Sequence, residues 1–336
     1  VFFQEPISNI TQTDARPVSS SGAGHYNKAV PQDLFPWILK DTPMRNRCCF
    51  SLFLILLLIS LPLRSFAVDS FQRIDNIKYA AADNHDLLLD LYLPQSKNNP
   101  PLLVWIHGGA WRAGSKSNMP LIQLVQNGFA VASVDYRLSP VAKFPAQIHD
   151  IKAAIRFLRG SATKYGYDAQ KIGILGSSAG GHLVALMGVT NGHPQLEGDL
   201  GDFTQESSRI DTIVDYYGPT NFMTILHQST PHGLSVRVPA LELLLGDRPE
   251  RKAALAKLAS PVFHVDDQDP PLFIIHGDQD PQVPINQSHE LHGKYKQHKR
   301  DVTFEVIPGA AHGGPEFFDA ERMQRVEDFL RKHLTK

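Results

Sequence analysis

The chain reads as an α/β domain in which a mostly parallel central sheet is covered by helices on both faces. Three observations predict this. Short, largely apolar runs at 101–106, 129–136 and 172–175 have the length and β-branched content of strands buried on both sides. Segments with helical spacing separate them, as with Ile148, Ile151, Ala154, Ile155 and Leu158. The 336 residues are enough for one large domain of this kind.

Taken in order, 1–43 scatters Ser, Thr, Gly, Asn and Pro among a few apolar residues without period, and reads as a leader outside the working protein. Met44, Arg45 and Arg47 open a basic segment, an apolar run follows over 48–61, and small residues stand at Ser65 and Ala67. This is the pattern of a secretory signal over 44–67, cleaved after Ala67, which places the product outside the cytoplasm or in a periplasm. The apolar run is shorter than the roughly 20 residues that span a bilayer, so no stable membrane anchor is expected. The only cysteines, Cys48 and Cys49, lie within this segment, so 68–336 offers no disulfide framework and no cysteine metal site.

The catalytic-domain pattern then fills 68–336. Alternating residues at 73–80 and 87–93 predict an antiparallel edge hairpin turning near Asn84 and His85. Strands are expected at 101–106, 129–136, 172–175, 210–217, 271–276 and 302–307. Helices are expected at 121–127, 145–159, directly after Gly176–Gly180, and at 285–296 and 317–334. About fifty residues separate Tyr217 from Pro271, more than a simple crossover needs. Phe222, Leu226, Leu241 and Leu244 make this stretch apolar enough to pack over something, and 220–260 is read either as a lid-like insertion at the ligand edge or as a long surface loop carrying a helix. The formal net charge of −1 gives no basic excess for nucleic acid.

Gly176-Ser-Ser178-Ala-Gly180 is a G-x-S-x-G sequence in its meaningful context of strand, sharp turn and helix. Small residues on both sides let the backbone approach itself, exposing the Ser178 hydroxyl at the tip. A serine needs a base to take its proton and a third group to orient that base. The segment after the 271–276 strand supplies Asp278 and Asp280, and the segment after the last strand supplies His312, in the chain order Ser, Asp, His. His107-Gly108-Gly109 follows an early strand and suits an oxyanion hole, with N–H groups from Gly108, Gly109 and Ala179. Trp111 and Phe222 are expected as walls of the substrate pocket. Arg137 with Asp150 is read as a structural ion pair, His182 as a packed core histidine, and His107 as a residue fixing the glycine loop.

HGGAW at 107–111, VDYRLSP at 134–140, FPAQIHDIKAAIRFLR at 144–159, GSSAGGH and HGDQDPQVP together resemble α/β-hydrolase serine esterases. The chain is similar to the hormone-sensitive-lipase-like group, and nearer to the branch with feruloyl and acetyl carbohydrate esterases. The resemblance covers most of 70–335. It implies an α/β-hydrolase fold with Ser178 as nucleophile, His312 as base and Asp280, directly before the segment ending in Val-Pro, as acid. It implies no metal or organic cofactor, and a small-molecule ester or esterified polysaccharide as the partner. The chain departs from the hormone-sensitive-lipase-like pattern in leaving no room for an N-terminal helical cap after Ala67. Rival readings are a serine amidase of the same fold (aryl formamidase or peptidase) and a non-catalytic binding protein on a hydrolase scaffold.

Overall fold

The computed structural model of the chain describes residues 71–95 and 98–334. The leader over 1–43, the export segment over 44–67 with its cleavage point at Ala67, and both cysteines lie outside the described residues.

Eight strands form one sheet: β1 (Phe71–Ala82), β2 (His85–Pro94), β3 (Pro101–Ile106), β4 (Ala130–Val134), β5 (Asp168–Ser177), β6 (Thr212–Tyr216), β7 (Leu272–Gly277) and β8 (Val302–Ile307). Their spatial order is β1-β2-β4-β3-β5-β6-β7-β8. β1 with β2 and β2 with β4 pair antiparallel, and every later pairing is parallel. The edge hairpin turns through Asp83 and Asn84, both at positive φ (50° and 61°), as a tight two-residue hairpin turn requires.

β3 shows how the core is divided. Leu102, Val104 and Ile106 face one layer, with helices α1 (Ala146–Gly160) and α2 (Ala179–Val189), while Leu103 and Trp105 face the other, with helix α5 (Ala320–Leu334). This period of two on a strand with no exposed residue is why the run is apolar throughout.

Several boundaries differ from the sequence reading; β5, for example, begins at Asp168 and not at Ile172. The helix expected from 317 is a short 3₁₀ turn at Pro315–Phe318 followed by α5. Asp319 stands between them in an extended conformation and caps α5, its Oδ1 accepting from Arg322 N at 2.8 Å. The strand expected to reach 136 ends at Val134; the Asp135 carboxylate then accepts from Lys116 N and Arg137 N turns away from the sheet to Asp150 Oδ2 at 2.8 Å.

Between β6 and β7 the chain makes short helices at Ile225–Gln228 and Ala253–Leu258 and the longer α3 (Pro231–Leu245). Thr230 starts α3 by accepting from Gly233 N, Pro231 occupies its first turn, and Gly246 ends it at φ 85°. Ala240, Leu241, Leu244 and Leu245 are buried against the domain. Phe144 N donates to Leu244 O at 2.9 Å.

Because β3, β5, β7 and β8 are mutually parallel, their C-terminal ends share one edge of the sheet, where α/β proteins hold their ligands. Helix α4 (Asn286–Gln297) follows β7.

Candidate active site

β5 ends at Ser177 and α2 begins at Ala179, so Ser178 alone turns the chain. It adopts φ 54° and ψ −116°, a setting that costs a non-glycine residue roughly 1–3 kcal/mol and persists only where the surroundings enforce it. They do so by close approach. A Cβ on Gly176 would lie 2.6 Å from Gly180 O, and one on Gly180 would lie 2.1 Å from Ile106 O. Ser178 N donates to Tyr216 O at 2.8 Å, tying the turn to the neighbouring strand.

His312, on the loop after β8, places Nε2 2.8 Å from Ser178 Oγ. Its Nδ1 lies 2.6 Å from Asp280 Oδ2, on the loop after β7. A carboxylate only accepts, so Nδ1 carries the proton and Nε2 is free to accept from the serine hydroxyl. Asp280 Oδ1 accepts from Gln282 N (2.8 Å) and Val283 N (2.9 Å). Oδ2 receives a second imidazole: His276 Nε2 lies 3.1 Å away and also donates to Val283 O at 3.0 Å, while Ser288 Oγ–H donates to His276 Nδ1 at 2.7 Å. Asp278 is exposed and instead accepts from Gly309 N at 2.7 Å, bracing the loop before His312. The imidazole meets Asp280, not Asp278.

Burial alone would raise Asp280, but hydrogen bonds from His276 and His312 outweigh it and hold the carboxyl well below the usual range. Burial lowers His312 below its ordinary 6.5, Asp280 opposes that shift, and the nearby charge of Arg237 adds to it. The base is thus neutral, and able to accept a proton, at neutral pH.

Gly108 and Gly109 line the same cleft of about 500 Å³ as Ser178 and His312. Gly109 has φ 112°, and a Cβ there would fall 2.1 Å from Ala113 O, so glycine is required. Ala179 opens α2, where first-turn N–H groups lack helical partners and the helix dipole favours negative charge. His107 supports the loop by stacking on Tyr136 at 4.5 Å and hydrogen bonding through Nδ1 to Gly108 O at 2.7 Å. Arg137 and Asp150 form a bidentate ion pair beneath, with Nη2 to Oδ1 at 2.7 Å.

The arrangement has the parts for nucleophilic acyl transfer. The relatives include named esterases. The BD-FAE family model matches residues 89–295. The chain belongs to the BD-FAE family. This BD-FAE chain is 33% identical over 240 residues to the esterase LipC of Mycobacterium tuberculosis, covering 69% of this chain and 58% of LipC. It spans about half the length of the curated relatives it matches. Among solved structures it is similar to a truncated carbohydrate esterase from gut microbiota (36% identity, TM-score 0.70, covering 80% of this chain and 99% of that one). It is also similar to an acetyl ester-xyloside bifunctional hydrolase from Caldicellulosiruptor lactoaceticus (25% identity, TM-score 0.65, 76% and 95% covered). The BD-FAE chain has the α/β-hydrolase fold.

Trp111 and Phe222, expected as pocket walls, are core instead, and neither borders the cleft. Ala110 and Trp111 both take positive φ (52° and 59°), which turns the indole inward. There Trp111 Nε1 donates to His182 Nδ1 at 3.1 Å, and the Phe222 ring stacks on His182 at 4.7 Å. His182 Nε2 donates to Ala259 O at 2.6 Å. The walls are supplied by residues the sequence reading gave no site role. Tyr217 packs edge-on against His312 at 4.9 Å, Gln282 follows the acid, and Val236 and Arg237 come from α3. One signal was available for Arg237: it is a lone cation inside the otherwise apolar run 236–241.

Proposed function

We propose that this chain is a serine carboxylic-ester hydrolase working through an acyl-enzyme, and that it acts outside the cytoplasm on acetyl or feruloyl esters of polysaccharide. The observation that carries the mechanism is the unbroken relay from Ser178 Oγ through His312 to Asp280 Oδ2, at 2.8 and 2.6 Å. As Ser178 Oγ attacks the ester carbonyl, its proton passes to His312 Nε2. The negative oxygen that develops is held by the N–H groups of Gly108, Gly109 and Ala179. Collapse expels the alcohol, which takes the proton from His312, and leaves the acyl group on Ser178. Water then attacks, gives a proton to His312, and the carboxylic acid departs as Ser178 recovers its hydrogen. Asp280 holds the imidazole orientation and stabilises its positive charge throughout.

The polysaccharide substrate is supported by the likeness to a carbohydrate esterase and to an acetyl ester-xyloside hydrolase. Export is supported by the basic-apolar-small pattern over 44–67. Hydrolysis of p-nitrophenyl acetate and octanoate, methyl ferulate and acetylated xylan by the chain and by Ser178→Ala tests the substrate. Activity lost in the variant and highest on ferulate or acetylated xylan is expected. Serine-dependent cleavage of amides in place of esters would replace this reading with the amidase one. For export, the N-terminus of protein recovered outside the cytoplasm should begin at Val68, and retention of 44–67 would contradict it.

A further inference from the structure

Arg237 is the anomaly of the cleft. It stands on α3, is only 1% exposed, and lines the space shared by Ser178, His312 and the oxyanion glycines. None of its nitrogens makes a hydrogen bond or ion pair among the described residues, and Nε and Nη1 are sealed from solvent without a partner. The Trp111 ring centre lies 6.0 Å from its guanidinium carbon. Asp280 is the carboxylate whose charge reaches it, but that group is fully committed, with two donors on each oxygen. A second cation, the exposed Arg112, borders the same cleft, and among the described residues no Asp or Glu lines it.

A buried charge with no partner is costly, and native structures rarely keep one without reason. Burial lowers the Arg237 guanidinium to about 10, Asp280 opposing and Arg112 adding to the effect, so it stays charged at neutral pH. Acetyl and feruloyl esters of neutral sugars offer such a cation hydrogen-bond acceptors but no opposite charge. Arginine's planar fork matches a carboxylate with two parallel hydrogen bonds.

We propose that Arg237, assisted by Arg112, forms an anion subsite that selects esters carrying a carboxylate close to the scissile bond. The subsite deepens the ester-hydrolase reading and rests on it for catalysis. The cleft of about 500 Å³ suits a small ester. The carboxylate then lies either on the acyl half, as in a dicarboxylic half-ester, or on the alcohol half, as in an acetylated uronic acid residue.

The test uses matched pairs on the full chain. Monoethyl succinate against ethyl levulinate places or removes the charge on the acyl half. An acetylated methyl uronoside against the acetylated glycoside of the matching neutral hexose does so on the alcohol half. In at least one pair the acidic ester should have kcat/KM at least tenfold above its neutral partner. Arg237→Met should lower that ratio at least tenfold, Arg112→Gln should lower it a few-fold, and added NaCl should reduce it. Arg112 is exposed, so its variant and the salt series remain decisive if Arg237→Met does not fold. Ratios that move with neither arginine nor salt would overturn the subsite. If no ester is turned over in a Ser178-dependent way, the hydrolase reading fails, and calorimetry then decides the subsite by itself. Ser178→Ala should bind the acidic ester at least tenfold more tightly than its neutral partner and lose that margin with Arg237→Met. Equal binding of the two esters would overturn it.

Discussion

His276 Nε2 and His312 Nδ1 converge on one oxygen, Oδ2 of Asp280, from 3.1 and 2.6 Å. The first imidazole is fully buried and locked by Ser288 and the Val283 carbonyl, while the second faces the cleft. Asp280 is thereby held ionised and fixed in position by His276, leaving His312 as the member of the relay that changes charge.

His276→Gln should therefore weaken the relay without touching the serine or the base. A hydrogen bond to a charged group contributes about 1.5–3 kcal/mol, so kcat/KM should fall by roughly tenfold or more. Asp280 would then hold the His312 proton more strongly, and the acid limb of the pH profile should move upward. An unchanged pH profile with an unchanged rate would show that His276 is only core.

The pH dependence of the unmodified protein follows from His312. Its lowered position, caused first by burial and opposed by Asp280, means that the imidazole is still mostly neutral at pH 6.5. Since only the neutral form accepts the serine proton, kcat/KM should reach half its plateau below pH 6.5. A half-point above the ordinary imidazole value would contradict this assignment.

His182 predicts a stability change of definite sign. Burial lowers it from 6.5 to about 4. Between those values the unfolded chain binds a proton that the folded chain refuses, so its stabilising effect is present above pH 6.5 and lost as pH falls towards 4. The loss amounts to about 3 kcal/mol. Burial raises Asp215 to about 6 and Asp269 to about 7, which act in the opposite direction. The comparison must therefore be between the unmodified chain and His182→Gln by denaturant unfolding at pH 7 and pH 4.5. The unmodified chain should lose more stability over that interval than the variant does.

At Gly180 two effects compete. Alanine normally favours a helix by about 1 kcal/mol over glycine, and Gly180 is the second residue of α2. The added Cβ would meet backbone oxygens of Ile106 at 2.1 Å and His107 at 2.8 Å, which cannot move without parting β3 from the turn. The clash should win. Gly180→Ala is expected to lower stability by about 1–3 kcal/mol and to cut activity by more than a hundredfold, read from thermal unfolding and ester hydrolysis together.

The central strands such as β3 and β7 were legible because they are short runs buried on both faces, the edge hairpin because its residues alternate, and the turn at Ser178 because only small residues permit the close approach of Gly180 to Ile106. Their shared edge then follows from parallel order. Trp111 misled because its direction depends on two consecutive positive-φ residues, a backbone property that composition does not show. Tyr217 and Arg237 reach the cleft from segments distant in sequence, and their roles arise only once α3 packs beside the loops after β7 and β8. The capping of α5 by Asp319 was masked by the apolar Phe317 and Phe318, which extend the helical pattern across the break.

The central claim is that Ser178 carries the acyl group. The most direct measurement is mass spectrometry of the protein acid-quenched during turnover of p-nitrophenyl acetate. One acetyl group should appear on the peptide containing Ser178 and be absent from Ser178→Ala, which should release no p-nitrophenol above background. Turnover that continues in Ser178→Ala, with the peptide unmodified in the parent protein, would contradict the account.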